Sequence, residues 1–291
     1  MAEARVLAVK RRRAVLGLLL ASLLLLLAAS VRWGDWSIRR LRTAGAITIG
    51  YAVEAPYAYV SSAGEGTGES PELAKLVTAR LGIKRIIWRQ APFEALLSEL
   101  HERQIDVIAS GMFVTPERRR LAAFSVPTFH VRPGLLVRRG NPRHIASYRQ
   151  LAGLDGVRVA VLSGSVEEAQ LRRLGVRPDS LVAVPDALTG RVAVESGVAD
   201  ALALSAPSVQ WMALSGRLGR AEAARLTTDG EAGEGLGAFA FRRGDRALRR
   251  AWDQVLRGYV GTPEHLALVS RFGFTAADLP GVAAAGEEPQ R

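Results

Sequence analysis

Residues 46–109 decide the fold: AITIGYAVEAPYAYVSSAGEGTGESPELAKLVTARLGIKRIIWRQAPFEALLSELHERQIDVIA. Short apolar runs at 46–51, 84–88 and 105–109 predict strands, whereas 71–81 and 93–103 have apolar residues at helical spacing. The order is therefore strand, helix, strand, helix, strand. This order is typical of an open, mostly parallel sheet with helices on its faces.

A second run of the same kind lies further along the chain. It consists of predicted strands at 157–162, 181–184 and 201–204 and predicted helices at 165–174 and 187–197, with Asp186 as the N-cap of the latter helix. Apolar strands at 134–137 and 235–241 lie on either side of this run, and helices are predicted at 245–259 and 262–272. The sequence therefore predicts an α/β protein of two lobes, with two chain crossings at a hinge and a ligand cleft between the lobes.

The N-terminal region is set apart by its charge. The chain has a formal net charge of +11, and residues 1–42 contain nine basic residues against two acidic ones. The remainder is only mildly basic, which argues against a nucleic-acid-binding protein.

A basic tetrad at 10–13 precedes an uncharged apolar run at 14–31, the pattern of an export signal. Small residues at 28–30 suit cleavage by signal peptidase. The run is also long enough, at ~1.5 Å per residue, to approach a ~30 Å hydrocarbon core, so an uncleaved membrane anchor is the alternative. Arg12 and Arg13 also resemble a twin-arginine signal. We expect an exported, periplasmic or extracytoplasmic protein.

The expected domain boundaries follow from these patterns. They are a signal peptide or anchor at 1–30, a linker at 31–44, the first part of lobe 1 at 45–138, lobe 2 at 139–235, the return segment of lobe 1 at 236–281 and a disordered tail at 282–291.

Several kinds of chemistry are disfavoured by residue types. The chain has no cysteine, which excludes disulfides, thiolate metal sites and cysteine nucleophiles. Its four histidines show no metal-ligand spacing, and neither a nucleophile elbow nor a P-loop is present. The glycine cluster at 64–68 is interpreted as a hairpin turn. No cofactor, metal or catalytic residue is expected, and the protein is predicted not to be an enzyme.

Four motifs support a family resemblance: GYAVEAPY at 50–57, GEGTGESPELA at 64–74, DVIASGMFVTPER at 106–118 and FSVP at 124–127. Over residues 45–275 the chain resembles the family 3 extracellular solute-binding proteins of ABC importers, and within them the ectoine- and hydroxyectoine-binding proteins. The resemblance implies a type II periplasmic-binding-protein fold, a monomer, and ABC permease transmembrane subunits as partners.

The resemblance also implies ligand-binding residues in lobe 1. Arg118 stands where the family's carboxylate-binding arginine lies, and a guanidinium binds carboxylates through paired hydrogen bonds. Phe113 replaces a small hydroxyl residue of the amino-acid binders, and Tyr57 and Phe93 match the other aromatic positions of ectoine binders. Three rings are thus expected to enclose a cationic ring. Glu54 occupies the matching acidic position and is expected to accept an N–H of that ring.

Lobe 2 is expected to contribute serines. Ser163 and Ser165 precede a helix, so that free backbone N–H groups and a hydroxyl would share the ligand's carboxylate with Arg118. Ser205 directly follows the strand predicted after Asp200, in the region where amino-acid binders of the family often place an aspartate. The segment 166–168, Val-Glu-Glu, departs from the polar side chain expected of ectoine binders early in the helix.

The prediction is a binding protein that captures ectoine or hydroxyectoine in an interlobe cleft and delivers it to a membrane permease. Closure would bend the crossing strands near 137–139 and 240–242. The alternatives are a binder of polar amino acids, a periplasmic dehydratase of cyclic carboxylic acids with Glu54 as general acid or base, and an anchored sensory domain.

Overall fold

A computed structural model gives the fold of residues 35–215, 219–227 and 235–280. The chain divides at Trp36, and the fold described below is that of the unit from Ser37 onward. The predicted signal or anchor at 1–30 and the predicted tail at 282–291 lie outside the described residues. Within the described residues, no helix has both the length and the apolar character needed to cross a membrane.

Strands and short helices alternate along the chain. The strands are β1 (Ala46–Tyr51), β2 (Tyr59–Val60), β3 (Gly66–Thr67), β4 (Arg85–Gln90), β5 (Val107–Ile108), β6 (Ala123–Phe124), β7 (Phe129–Val131), β8 (Pro133–Arg138), β9 (Val159–Leu162), β10 (Leu181–Val184), β11 (Ala201–Ser205), β12 (Ala221–Ala223), β13 (Gly235–Gly237) and β14 (Ala240–Phe241). The helices are α1 (Ser37–Ala44), α2 (Glu69–Arg80), α3 (Leu96–His101), α4 (Pro116–Leu121), α5 (Tyr148–Gly153), α6 (Val166–Arg173), α7 (Ala187–Ser196), α8 (Ala206–Ser215), α9 (Arg246–Arg257) and α10 (Pro263–Ser270). Single 3₁₀ turns occur at Phe93–Ala95, Pro178–Ser180 and Ala276–Asp278.

Lobe 1 is built on a five-stranded sheet in the order β4-β1-β5-β14-β6. β1 pairs in parallel with β4 and β5, and β14 joins antiparallel between β5 and β6. Trp252 of α9 is fully buried against this sheet, with its ring 5.2 Å from that of Phe239 and 5.6 Å from that of Phe241. The predicted β-α-β-α-β order of residues 46–109 is confirmed, and the glycine cluster forms the predicted hairpin between β2 and β3.

Helix α1 corrects the prediction of a linker at 31–44. Its Leu41 is buried, and the Ser37 hydroxyl accepts the N–H of Leu248 in α9 at 3.0 Å. Arg40 forms an ion pair of 2.8 Å with Asp106. A helix of this length has too few turns for a clear periodic signal, and its stability comes from these tertiary contacts.

Lobe 2 has its own five-stranded sheet in the order β10-β9-β11-β8-β12. β9 pairs in parallel with β10 and β11, and β8 runs antiparallel to β11 and β12. The predicted strands and helices of the second run are confirmed to within two residues at each end. Asp186 is the N-cap of α7, because its carboxylate accepts the N–H of Thr189 at 2.7 Å.

Two antiparallel strands connect the lobes. β7 pairs with β13, with Phe129 opposite Gly237 and Val131 opposite Gly235. The predicted boundary at residue 138 and the predicted hinge near 137–139 are wrong, since β8 belongs to the lobe 2 sheet. The hinge predicted near 240–242 is also wrong, because β14 belongs to the lobe 1 sheet and the expected strand at 235–241 is divided in two. An apolar run does not reveal which of two buried sheets it joins.

Candidate functional site

The candidate site lies where loops of the two lobes meet. In lobe 1 the loops follow β1 and β5, and in lobe 2 they follow β9 and β11. All four loops therefore begin at the carboxyl ends of strands, the edge at which open α/β sheets bind ligands. Hydrogen bonds join the lobes directly, so the structure is a closed form.

Arg118 is fixed in the cleft by α4 and by a ring. Thr115 caps α4 by accepting the N–H of Arg118 at 3.2 Å, and the buried guanidinium lies 5.2 Å from the centre of the Phe93 ring. Its two terminal nitrogens donate to the carbonyls of Phe113 (2.8 Å) and Gly164 (3.0 Å), the latter in lobe 2. A guanidinium has five N–H donors, so these two bonds leave donors for a ligand's carboxylate.

Glu54 lies on the turn that follows β1. This turn is held by reciprocal backbone bonds between Glu54 and Ala58, and the carboxylate accepts the hydroxyl of Ser208 in lobe 2 at 2.7 Å. Burial, and to a smaller extent the negative charge of Glu167, raise the pKa of Glu54 to about 7 against the opposing effects of Ser208 and Arg118. Glu54 thus gains or loses a proton near neutral pH.

A chain of hydroxyls joins the lobes behind this carboxylate. The Tyr57 hydroxyl donates to Ser205 (2.9 Å), Ser205 donates to Ser208 (3.2 Å), and Ser208 donates to Glu54. The chain begins and ends in lobe 1 and passes through lobe 2. We call these four residues the hydroxyl chain. Glu54, Tyr57 and Ser205 are among the predicted site residues, whereas Ser208 was not predicted.

The three predicted rings lie in different surroundings. Phe93 has one face covered by Arg118, and Tyr57 packs against Phe129 (4.8 Å between centroids) and Phe274 (5.5 Å). Phe113 lies 6.1 Å from Phe129 and lines a cavity of about 350 Å³ between the lobes. The rings of Phe93 and Tyr57 are mostly buried in protein contacts, so Phe113 is the ring of the three that is most available to a ligand.

The first turn of α6 is already capped from within. Ser165 accepts the N–H of Glu168 at 3.1 Å, and the N–H of Gly164 donates to the Glu168 carboxylate at 2.9 Å. Ser163 lies at the end of β9 and its N–H bonds to Val184. The amides expected to hold a carboxylate are therefore partly occupied by a glutamate of the same helix.

Glu167 is a second acid in the cleft, and the prediction of site residues missed it. It lies in the first turn of α6, is buried, and lines the same cavity as Phe113. Burial raises its pKa, and the charge of Arg118 lowers it in part. The signal in the sequence was the segment 166–168, Val-Glu-Glu, which departs from the polar side chain expected of ectoine binders.

The described residues contain no group of three or more His, Asp or Glu side chains arranged to hold a metal ion. The chemistry of the site is that of charge and hydrogen bonding. One buried guanidinium, the buried carboxyl of Glu167, the half-buried carboxyl of Glu54 and an aromatic face are suited to a small molecule with both a negative and a positive end.

Comparison with known proteins gives the family. Residues 47–273 match the sequence profile of the bacterial extracellular solute-binding proteins, family 3. The chain belongs to this family. The profile covers both lobes and both crossings, so the fold is that of a type II periplasmic-binding protein.

Three proteins are similar to this chain over different shares of their length. The chain is 28% identical over 90% of its length, and over 88% of the relative's, to a probable amino-acid ABC transporter periplasmic-binding protein of Sinorhizobium fredii. It is 30% identical over 61% of its length to the membrane-bound lytic murein transglycosylase F of Ectopseudomonas mendocina, of which it spans 36%. Among solved structures, EhuB in complex with hydroxyectoine is similar with a TM-score of 0.79 and 26% identity, covering 87% of this chain and 96% of that one.

Proposed function

We propose that this family 3 solute-binding protein serves an ABC importer and captures a small zwitterion of the ectoine class between its lobes. The observation that favours this function is that one closed cleft contains both the buried Arg118 guanidinium and the Glu54 carboxyl, each hydrogen bonded to the opposite lobe. The similar proteins support it, since one is described as an amino-acid ABC transporter protein and another was solved with hydroxyectoine.

The ligand's carboxylate is assigned to Arg118. The guanidinium is held rigidly by the Phe93 ring and the Phe113 carbonyl, so little side-chain entropy is lost when it binds. The first turn of α6 is a poorer partner for a carboxylate, because Glu167 and Glu168 place negative charge there.

The ligand's positive end is assigned to the region of Glu54 and Phe113. Glu54 supplies the opposing charge, and Phe113 supplies an aromatic face that favours a delocalised, weakly hydrated cation. The proposed ligand contacts are Glu54, Tyr57, Phe93, Phe113, Arg118, Ser163, Ser165 and Ser205.

A second candidate is a binder of cationic amino acids. The buried Glu167 favours it, because two acids beside one arginine leave a negative charge that a second positive group on the ligand would balance.

Isothermal titration of the full-length protein with ectoine, hydroxyectoine, L-arginine and L-glutamine tests the proposal. We expect binding of ectoines in the wild type and its loss in Arg118→Ala. Arg119→Ala is the matched control, because Arg119 is exposed on the same helix and should leave the affinity unchanged. Tight binding of a ligand that Arg118→Ala retains would contradict the assignment, and binding of L-arginine alone would favour the second candidate.

A further inference from the structure

We propose that Glu167 sets the net charge that the cleft accepts. Ionised Glu167 favours a ligand with a second positive charge, and protonated Glu167 admits a net-neutral zwitterion. This inference rests on the proposed function and concerns which member of the zwitterion class is bound.

The position of Glu167 places its carboxyl among the cleft's charged groups. It is 5% exposed and lies on the face of α6 that lines the cavity with Phe113, together with Val166 and Gln170. Its negative charge raises the pKa of Glu54 and Tyr57, which lie in the loop after β1, and of Tyr148 in α5. The positive charge of Arg118 in α4 lowers the pKa of Glu167. The Ser165 hydroxyl, at the N-cap of the same helix, lowers the pKa of Glu167 in part. Arg173 lines the same cavity but is exposed, so water screens its charge.

The charges in the cleft do not cancel. Arg118 contributes one positive charge, and Glu54 and Glu167 contribute two negative charges when ionised. A net-neutral ligand that neutralises Arg118 and Glu54 therefore leaves Glu167 as an unpaired buried carboxylate. An unpaired buried charge is costly, and the cost is removed either by a second positive group on the ligand or by a proton.

Both acids take up a proton more readily than a carboxyl in water does. Burial raises the pKa of Glu167, and the negative charge of Glu167 adds to the burial that raises the pKa of Glu54 to about 7. Because ionised Glu167 raises the pKa of Glu54, the state with one proton on these two acids is favoured over the fully ionised state as the pH falls. A net-neutral ligand binds the singly protonated pair, and a ligand with an additional positive charge binds the fully ionised pair.

The test compares two ligands of the same shape and different charge. L-arginine carries a positively charged guanidinium where L-citrulline carries a neutral urea group. Ectoine serves as the net-neutral cyclic ligand. Dissociation constants are measured by titration calorimetry on the full-length protein at pH 6 and pH 8. The variants are Glu167→Gln, which keeps the shape and removes the charge, and Glu195→Gln as a control in α7 of the same lobe, where the carboxylate forms an ion pair with Arg191.

In the wild type, raising the pH from 6 to 8 is expected to weaken the binding of citrulline and ectoine about tenfold while arginine changes less than about threefold. In Glu167→Gln the preference for arginine over citrulline at pH 8 is expected to fall about tenfold. Glu195→Gln should behave as the wild type. A merely structural role for Glu167 would weaken all ligands alike and leave these ratios unchanged, and that result would overturn the inference.

Failure of the proposed function can be distinguished from failure of the inference about Glu167. If the wild type binds none of the three ligands, the proposed function fails, while infrared difference spectra of ligand-free wild type and Glu167→Gln still test the inference. A protonated-carboxyl band that is absent from Glu167→Gln and disappears as the pH is raised supports it, and a Glu167 that stays ionised at every pH at which the protein is folded overturns it.

Discussion

Among single residues, Phe113 carries the proposed aromatic contact with the ligand. It lines the interlobe cavity, and its backbone carbonyl also orients Arg118. Replacing Phe113 with Ser removes the ring and keeps the carbonyl. We expect ectoine affinity to fall by about 2 kcal/mol, roughly 30-fold, through loss of the cation–π contact, and α-amino-acid affinity to fall less.

Titration calorimetry of Phe113→Ser and Phe113→Leu measures this difference. The leucine variant keeps apolar volume without a π face and should lose most of the ectoine affinity that the serine variant loses. Equal losses for ectoine and for α-amino acids would show that the ring only packs against Phe129 and takes no part in recognition.

The residues of the site were predictable to different degrees. Motif resemblance pointed to Arg118 and Glu54 because each lies in a short, recognisable sequence. Ser208 was not predictable, since its partner Glu54 is 154 positions away and the bond exists only once the lobes close. Glu167 stood in the sequence as a departure from the expected residue, but only its burial showed that it faces the cleft.

Among the structural elements, the crossing formed by β7 and β13 depends on Gly237. A Cβ at this position in β13 would lie 1.8 Å from Cζ of Phe129, whose ring packs over the strand. Gly237→Ala is therefore expected to lower the free energy of unfolding by about 1–3 kcal/mol through overpacking. Urea unfolding measures it, with Gly153→Ala as the control, because a Cβ there meets no neighbour within 4 Å. An unchanged unfolding midpoint for Gly237→Ala would show that the crossing adapts to the added methyl group.

His265 in α10 makes stability depend on pH. It is fully buried, its Nδ1 accepts the N–H of Gly261 at 3.2 Å, and burial lowers its pKa to about 4. Below pH 6.5 the unfolded chain protonates this histidine while the folded protein does not, so the free energy of unfolding falls as the pH drops from 6.5 towards 4. The contribution is about 2 kcal/mol between pH 7 and 5.

Urea unfolding of the wild type and His265→Asn at pH 7 and 5 isolates this contribution. The acids Glu54 and Glu69, whose pKa values are raised to about 7, act in the opposite direction in both proteins and cancel in the difference. His265→Asn should lose stability at pH 7 and regain about 2 kcal/mol relative to the wild type at pH 5. His144→Asn, at an exposed position, should show the same pH dependence as the wild type.

The elements themselves were largely predictable where periodicity was strong. β1, β10 and α7 agree closely with the predicted bounds because apolar alternation and the Asp186 cap mark them. Helix α8 was missed, since the segment 206–215 is apolar on most sides and lacks a polar stripe. Short helices and sheet membership are settled by packing, which one sequence does not display.

At the scale of the whole molecule, the hydroxyl chain holds the lobes together. Its members Tyr57 and Glu54 lie in lobe 1, and Ser205 and Ser208 lie in lobe 2, so each opening of the cleft breaks the bonds from Tyr57 to Ser205 and from Ser208 to Glu54. Both bonds are internal and shielded, and a hydrogen bond of this kind contributes about 1 kcal/mol to the state that contains it. A ligand adds its own contacts to both lobes and shifts the same equilibrium by its differential affinity for the closed form.

Tyr57→Phe keeps the ring among Phe129 and Phe274 and removes only the hydroxyl, so the lobes should fold normally and open more often. We expect the ratio of closed to open molecules to fall about fivefold without ligand, with a larger radius of gyration by small-angle X-ray scattering. Apparent ligand affinity should fall by up to the same factor, because binding must then close a more open population. Tyr259→Phe is the control, since that hydroxyl bonds to the Glu264 carbonyl within one lobe. If Tyr57→Phe leaves both the scattering and the affinity unchanged, the closed form is held by ligand contacts alone and the hydroxyl chain only follows closure.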